Sequence, residues 1–309
     1  MDLTKIKTYS LAGRRSKVAV GDLARVKGAS AAFAAFYNSL PNILAAADFK
    51  AVVKAIVAAR KKKRPVIFML GAHIIKCGLN PLLIDLMRRG VITAVALNGA
   101  GLIHDFELAF CGKTSEDVAS ALDKGMFGMS RDTAEFVNRA ISQGDKQGWG
   151  AAEALARKMR GARLRFAKHS LLVNARRCDV PVTAHIALGA DIVHQHPSAD
   201  GAAMGSCSLR DFYRLSETVA RLGEGGVAVN FGSAVVLPEV FLKALNLARN
   251  LGHKVKDFTT VTFDMIKQYR PQQNVVCRPL SGPRARGYYI IGHHELMLPL
   301  LYWGIVNSG

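Results

Sequence analysis

Where the short apolar runs of this chain end, small and polar residues follow, and those are the positions suited to binding and catalysis. Gly71-Ala72-His73 follows VIFML, and Asn98-Gly99-Ala100-Gly101 follows TAVAL, with His104 and Asp105 just beyond. Asp191, His194 and His196 follow PVTAHIAL, and Gly292, His293, His294 and Glu295 follow GYYII. Small residues at 99–101 would let backbone N–H groups approach a phosphate while the helix behind them presents its positive end. A plain strand-to-helix turn has the same composition. The third glycine of the dinucleotide fingerprint is missing, and no Walker A sequence occurs.

His194 and His196 would project to one side of an extended segment, an arrangement that can chelate a metal with His185, Asp191 or Glu295 as further ligands. The competing reading is a pair of histidines hydrogen-bonded in a polar pocket, and no HExxH motif supports the metal. His293-His294-Glu295 either caps a C-terminal helix or belongs to a site. Nucleophile signatures are poor: there is no GxSxG, and the five cysteines include no CxxC pair. General acid/base work is the more economical chemistry, with His104, Asp191, His194, His196 and Glu295 as catalytic candidates. Together the polar residues point to a small-molecule pocket, because each buried polar group left unpartnered costs ~1–3 kcal/mol.

The secondary structure around these residues alternates. After an irregular start, residues 43–60 repeat apolar positions at helical spacing and lead to the strand VIFMLG. Asn80-Pro81 opens a helix that stops at Gly90. Ile92 to Leu97 reads as a strand and Leu102 to Cys111 as a helix. Residues 115–178 read as a largely helical insert. Alternation resumes with the strand PVTAHIAL, the short segment DIVHQH and a helix from Ser208 to Leu222. The strand GVAVNFG, a helix from Pro238 to Asn250 and the strand Phe258 to Phe263 come next. An Arg- and Pro-rich loop from Arg270 to Arg286, the strand GYYIIG and a helix from His294 to Val306 complete the chain. Continuous apolar strands alternating with helices predict an α/β fold, a doubly wound, mainly parallel, Rossmann-like sheet covered on both faces. One domain over 1–309 is expected, carrying the insert at 115–178. Ligands of such sheets bind beyond the carboxyl ends of the strands.

Composition narrows the function. The chain has 309 residues, 50% of them hydrophobic and 21% charged, with a mean hydropathy of +0.14, which excludes disorder as its main state. No apolar stretch reaches the ~18–20 residues needed to span a bilayer, no signal-peptide core opens the chain, and scattered cysteines predict reduced thiols, so a cytoplasmic, non-membrane protein is expected. Forty-two Lys and Arg against 23 Asp and Glu give a net charge of +19, a field attractive to anions. Arg60 to Arg64 and Arg157 to Lys168 are dense basic runs. Aromatics are only 7% and no RNP, KH or finger pattern interleaves with the charge, so a base-reading nucleic-acid platform is not expected.

The stretch from Gly71 to Gly128, GAHIIKCGLNPLLIDLMRRGVITAVALNGAGLIHDFELAFCGKTSEDVASALDKGMFG, resembles the cofactor-binding region of deoxyhypusine synthase. VPVTAHIALGADIVHQH and GGVAVNFGSAVVLPEVFLKALNLARNLG are similar to that family's Pro-Val strand with its Gly-Asp segment and to its glycine-rich strand and following helix. The resemblance implies an NAD-binding doubly wound sheet, a transferase ancestry and a homotetramer with sites between subunits. Carried over residue by residue, it places the cofactor against Gly71, Ala72 and His73 and against Asn98, Gly99, Ala100 and Gly101, sets Asp105 near the ribose, and matches Asp191 to the Gly-Asp carboxylate. The family's Trp-Gly-Lys reads Trp303-Gly304-Ile305 here, so no lysine imine can form at that place. A basic segment around Arg270 and Arg278 replaces its acidic loop and suits an anionic substrate.

The leading expectation is therefore a deoxyhypusine synthase-like enzyme with NAD or a related nucleotide, acting on an unidentified small substrate without aminobutyl transfer through a lysine imine. A metal-dependent hydrolase or isomerase built on His194 and His196 is the alternative. A basic, non-catalytic module for RNA or an acidic partner is the second.

Overall fold

The computed structural model describes residues 2–308. An N-terminal strand β1 (Ser16–Ala19) precedes helices α1 (Ala31–Ser39) and α2 (Leu44–Lys61). Strand β2 (Val66–Leu70), the short α3 (His73–Lys76), α4 (Asn80–Arg88), β3 (Ala94–Asn98) and α5 (Gly99–Cys111) follow. The segment up to the next sheet strand holds β4 (Lys113–Glu116), α6 (Val118–Leu122), α7 (Arg131–Lys146), α8 (Ala151–Gly161) and α9 (Leu171–Arg177). Then come β5 (Val182–His185), α10 (Gly201–Val219), β6 (Val227–Phe231), α11 (Val236–Asn250) and β7 (Thr259–Asp264). A one-turn α12 (Tyr269–Pro271), a π-helical turn at Gln272–Cys277, β8 (Arg286–Ile291) and α13 (His294–Ser308) close the chain.

The six strands β5-β3-β2-β6-β7-β8 form one sheet in which every neighbouring pair is parallel. Numbered from β2, that order is the 3-2-1-4-5-6 of the doubly wound nucleotide-binding sheet, with its switch point between β2 and β6. Alternation along each strand serves two cores. Val66, Phe68 and Leu70 face a core shared with α2, α4, α5 and α13, while Ile67 and Met69 face α10 and α11. The predicted α/β fold is the observed one. No helix among the described residues is long and apolar enough to cross a membrane.

Three local features depart from the sequence expectation. The N-terminal segment, expected to be irregular, supplies β1, which pairs antiparallel with β4 as a separate two-stranded sheet. Residues 270–286, expected to be a loop, contain the π-helical turn. Helix α5 begins at Gly99 rather than Leu102, because Asn98 Oδ1 accepts the Gly101 N–H at 3.0 Å and caps it. The glycine turn is thus the first turn of the helix.

Candidate functional site

Because α5 leaves β3 at the carboxyl edge of the sheet, its residues split between two directions about 100° apart per step. Asp105 turns inward and is fully buried. Its carboxylate accepts from Ser170 Oγ at 2.6 Å, Leu171 N at 2.6 Å, Leu172 N at 3.1 Å and Asn80 Nδ2 at 3.0 Å. These bonds dock the start of α9 onto α5. Burial nevertheless pushes the carboxyl up to about 6. The expectation that Asp105 meets a ribose is corrected: its acceptors are taken by the protein itself.

His104 turns the other way. Its Nδ1 lies 2.8 Å from Thr114 Oγ1, and the Thr114 hydroxyl donates to Glu107 Oε2 at 2.7 Å. A hydroxyl has one proton, so His104 Nδ1 must be the donor to Thr114 and Nε2 is left as an acceptor. Glu107 is held in turn by a bidentate, buried pair with Arg14, both bonds 2.7 Å, and by Thr133 Oγ1 at 3.1 Å. Burial depresses the His104 imidazole to about 4, more than the Glu107 charge raises it, so the ring is neutral at pH 7.

His104 opens onto a cavity of about 170 Å³ lined by Ala100, Ile103, Lys76, Arg14 and Ile192 among others. Pockets for drug-sized ligands run from about 300 to 1,000 Å³, so this space holds a small molecule or one end of a larger one. Arg14 and Lys76 line it together with the carboxylates Glu107 and Glu116; Arg14 is paired with Glu107, and Lys76 has no ion-pair partner among the described residues. Sequence reasoning missed Arg14 and Lys76, along with Glu107 and Thr114. The i,i+3 spacing of His104 and Glu107 on one helix face was the available signal.

Asp191 sits beside this cavity. Its Oδ2 presses against Gly99, where an added Cβ would lie 2.0 Å away. Burial, with no charge or hydrogen bond to offset it, pushes the Asp191 carboxyl up to about 6. His194 Nδ1 accepts from Gly189 N at 3.1 Å and Asp191 N at 3.2 Å, so its proton is on Nε2, 3.9 Å from Asp191 Oδ2. Those two belong together. His196 does not join them: its buried Nε2 donates to Gly128 O at 2.9 Å. His185 is buried beside Thr183. The His194–His196 chelate of the alternative reading is therefore not formed, and among the described residues no group of three His, Cys, Asp or Glu side chains is placed to hold a metal.

The glycine turns are closed by protein. Gly101 packs on Leu97 Cβ, 3.2 Å from where its own Cβ would be, and gives its N–H to Asn98. With Asp191 against Gly99, a carboxylate already occupies the positive end of α5. These residues do not fit a pyrophosphate at 99–101, which corrects that expectation; only Ala100 faces the cavity. Gly71 packs on the Gly232 carbonyl, where an added Cβ would lie 2.2 Å away, so its small size serves the contact between the β2 and β6 loops. Ala72 precedes α3 and His73 is exposed, its ring 5.9 Å from that of the buried His294. Glu295 is exposed in the first turn of α13, 3.9 Å from His293 Nδ1 and 3.8 Å from Cys77 Sγ. His73, His294 and Glu295 continue the polar edge across the switch point, away from Asp191.

No family model matches this chain, and no curated protein matches it. Solved structures do. A protein described as LOR/SDH from Methanococcus maripaludis S2 aligns at 15% identity over 84% of this chain and 69% of its own, with a TM-score of 0.52. AgrE in its ternary complex with ornithine and NAD+ aligns at 14% identity and a TM-score of 0.52 over 91% of this chain. This chain spans about a third of AgrE, 34% of its length. A protein described as a deoxyhypusine synthase from Entamoeba histolytica aligns at 9% identity over 90% of this chain and 96% of its own, with a TM-score of 0.46. At such identities what is shared is the fold, and the fold of this chain is the doubly wound α/β sheet of the LOR/SDH protein and of the matching part of AgrE.

Proposed function

We propose that this protein is an enzyme that moves a proton on a small, anionic molecule held at the carboxyl edge of the sheet beside α5. The observation that carries this reading is the fixed tautomer of His104: a neutral imidazole whose Nδ1–H is committed to Thr114 and whose Nε2 lone pair is left for the cavity that His104 and Lys76 border. Such a nitrogen accepts a proton from a hydroxyl or amine. As it does so, the imidazolium charge is stabilised through Thr114 by the Glu107 carboxylate, and Arg14 keeps that carboxylate in place. Lys76 meets an anionic group of the substrate. Asp191, a carboxylate without a compensating donor, accepts from a hydroxyl or ammonium group at the other side.

NAD or a related nucleotide is the cofactor we propose with it, supported by the fold and by the NAD+ complex of AgrE. When bound it would supply redox chemistry. The turn at 99–101 would not hold its phosphates. A homo-oligomer, tetrameric as the resemblance implies, is part of the same proposal.

Native mass spectrometry of gently purified protein reads subunit number and retained nucleotide together, and calorimetry with NAD+ and NADH reads affinity. Turnover is sought with NAD+ and a panel of small hydroxy and amino acids, followed by reduced-nicotinamide absorbance. A His104→Gln variant that folds should lose ~10²–10⁴-fold of any activity found. Unchanged turnover in that variant removes His104 from the mechanism, and absence of nucleotide binding removes NAD.

A further inference from the structure

We propose that the amino edge of the parallel sheet, opposite the His104 cleft, binds the phosphate backbone of a nucleic-acid duplex, independently of the enzymatic reading. All six strands of the main sheet are parallel, so the loops leading into them emerge on one edge. Each of those loops brings an exposed cation: Lys63 before β2, Arg88 before β3, Arg177 before β5, Arg221 before β6, Lys256 before β7 and Arg286 at the start of β8. The loops touch in sequence across the edge. Lys63, Arg64, Thr93 and Arg221 border one hollow, and Arg221 and Arg176 border the next together with Asp179, Glu217 and the Arg214-paired Glu153. Glu224 N donates to Lys256 O and Asp257 N to Ser281 O, both at 2.9 Å.

The surface is not neutralised. The ion pairs on this edge are Arg64 with Glu224, Arg89 with Asp85 and Arg284 with Asp257, and they leave those six cations without an acidic partner among the described residues. Helix dipoles explain part of the pattern, because Arg88 and Arg177 stand in the last turns of α4 and α9. They do not explain Lys63, Arg221 and Lys256, which lie beyond helix ends.

Chemistry selects the occupant. Phe258 is the one aromatic residue in these loops and is 1% exposed, so no platform exists on which unpaired bases could stack. Leu251 is their one exposed large apolar side chain, too little to insert into a lipid surface. What is left is a row of cations spanning five strand spacings, about 24 Å at ~4.8 Å each. That length matches about seven base pairs of a duplex at ~3.4 Å each, whose phosphates are dense, regular and independent of sequence.

The test is fluorescence anisotropy of the full chain with a labelled mixed-sequence duplex, with the same-length single strand and phosphatidylserine vesicles as competitors. The intact protein should bind the duplex at low salt and weaken linearly in log–log salt titration. The charge-reversed variant K61E/K62E/K63E, checked for folding by circular dichroism, should bind about tenfold or more weakly, with the salt slope reduced by ~0.9 for each phosphate no longer neutralised. The control R160E/R163E, reversing exposed charges outside these loops, should bind as the parent does. No binding at low salt, an equal weakening in the control, or preference for the single strand or the vesicles would each overturn the proposal.

Discussion

Thr114 Oγ1 stands 2.8 Å from His104 Nδ1 and donates its own hydrogen bond to Glu107, so a single hydroxyl decides which nitrogen of the histidine carries the proton. Long-range ¹H–¹⁵N correlation spectra at pH 7 should show His104 as the neutral Nδ1–H form. In a Thr114→Val variant the signal should move toward a mixture of tautomers. A parent spectrum in the Nε2–H form would contradict the hydrogen-bond chain from His104 through Thr114 to Glu107. The same variant should lose ~1–3 kcal/mol in chemical denaturation, the cost of unpartnered buried groups at His104 and Glu107.

Asp211 is a third carboxylate, after Asp105 and Asp191, whose buried environment works against its charge. Both Ala152 N, at 3.1 Å, and Ala184 N, at 2.9 Å, donate to its Oδ2, while Oδ1 lies buried without a partner. Burial, outweighing those bonds, pushes the carboxyl up to about 7 from an ordinary 3.8. A raised folded-state value contributes stability that is fully present below pH ~4 and is lost as pH climbs through about 7. Asp211→Asn retains one oxygen for both amides and cannot ionise. It should flatten that decline and stabilise the protein at pH 8 by roughly 2–4 kcal/mol, read from urea midpoints at pH 5 and pH 8. Parallel pH curves for parent and variant would contradict the assignment.

Asp105 should behave as a structural residue. Asp105→Ala strands the buried amides of Leu171 and Leu172 together with Ser170 and Asn80. A loss of about 3 kcal/mol or more is expected from denaturation, with thermal unfolding shifted down in proportion. A variant as stable as the parent but altered only in nucleotide affinity would restore Asp105 to the ligand.

Gly99 and Gly101 should differ sharply although they are two residues apart. A methyl at Gly99 meets Asp191 Oδ2 at 2.0 Å and must displace it, whereas at Gly101 the nearest atom, Leu97 Cβ, is 3.2 Å away. Gly99→Ala should lower the melting temperature and alter any Asp191-dependent binding. Gly101→Ala, favoured by ~1 kcal/mol of helix propensity, should stay within about 1 kcal/mol of the parent. Equal tolerance of both would mean that Asp191 does not pack there.

The alternation of elements is legible in the chain alone: continuous apolar strands, the Asn-Pro start of α4 and helical spacing in 43–60 require a parallel sheet covered on both faces, because local propensity and burial period are carried by near neighbours. The carboxyl edge is legible in the same way, and with it His104, Asp191 and His194. Which of them face one another is a matter of packing. His104 and Asp105 are adjacent in the chain, yet helix rotation sends one to the cavity and the other to cap α9. Arg14, Glu107 and Thr114 come from segments that share no motif, and Asp191 closes the glycine turn that composition leaves open. Such distinctions rest on which side chain arrives first at an unsatisfied donor or acceptor, and that depends on distances across the fold rather than on neighbours along the chain.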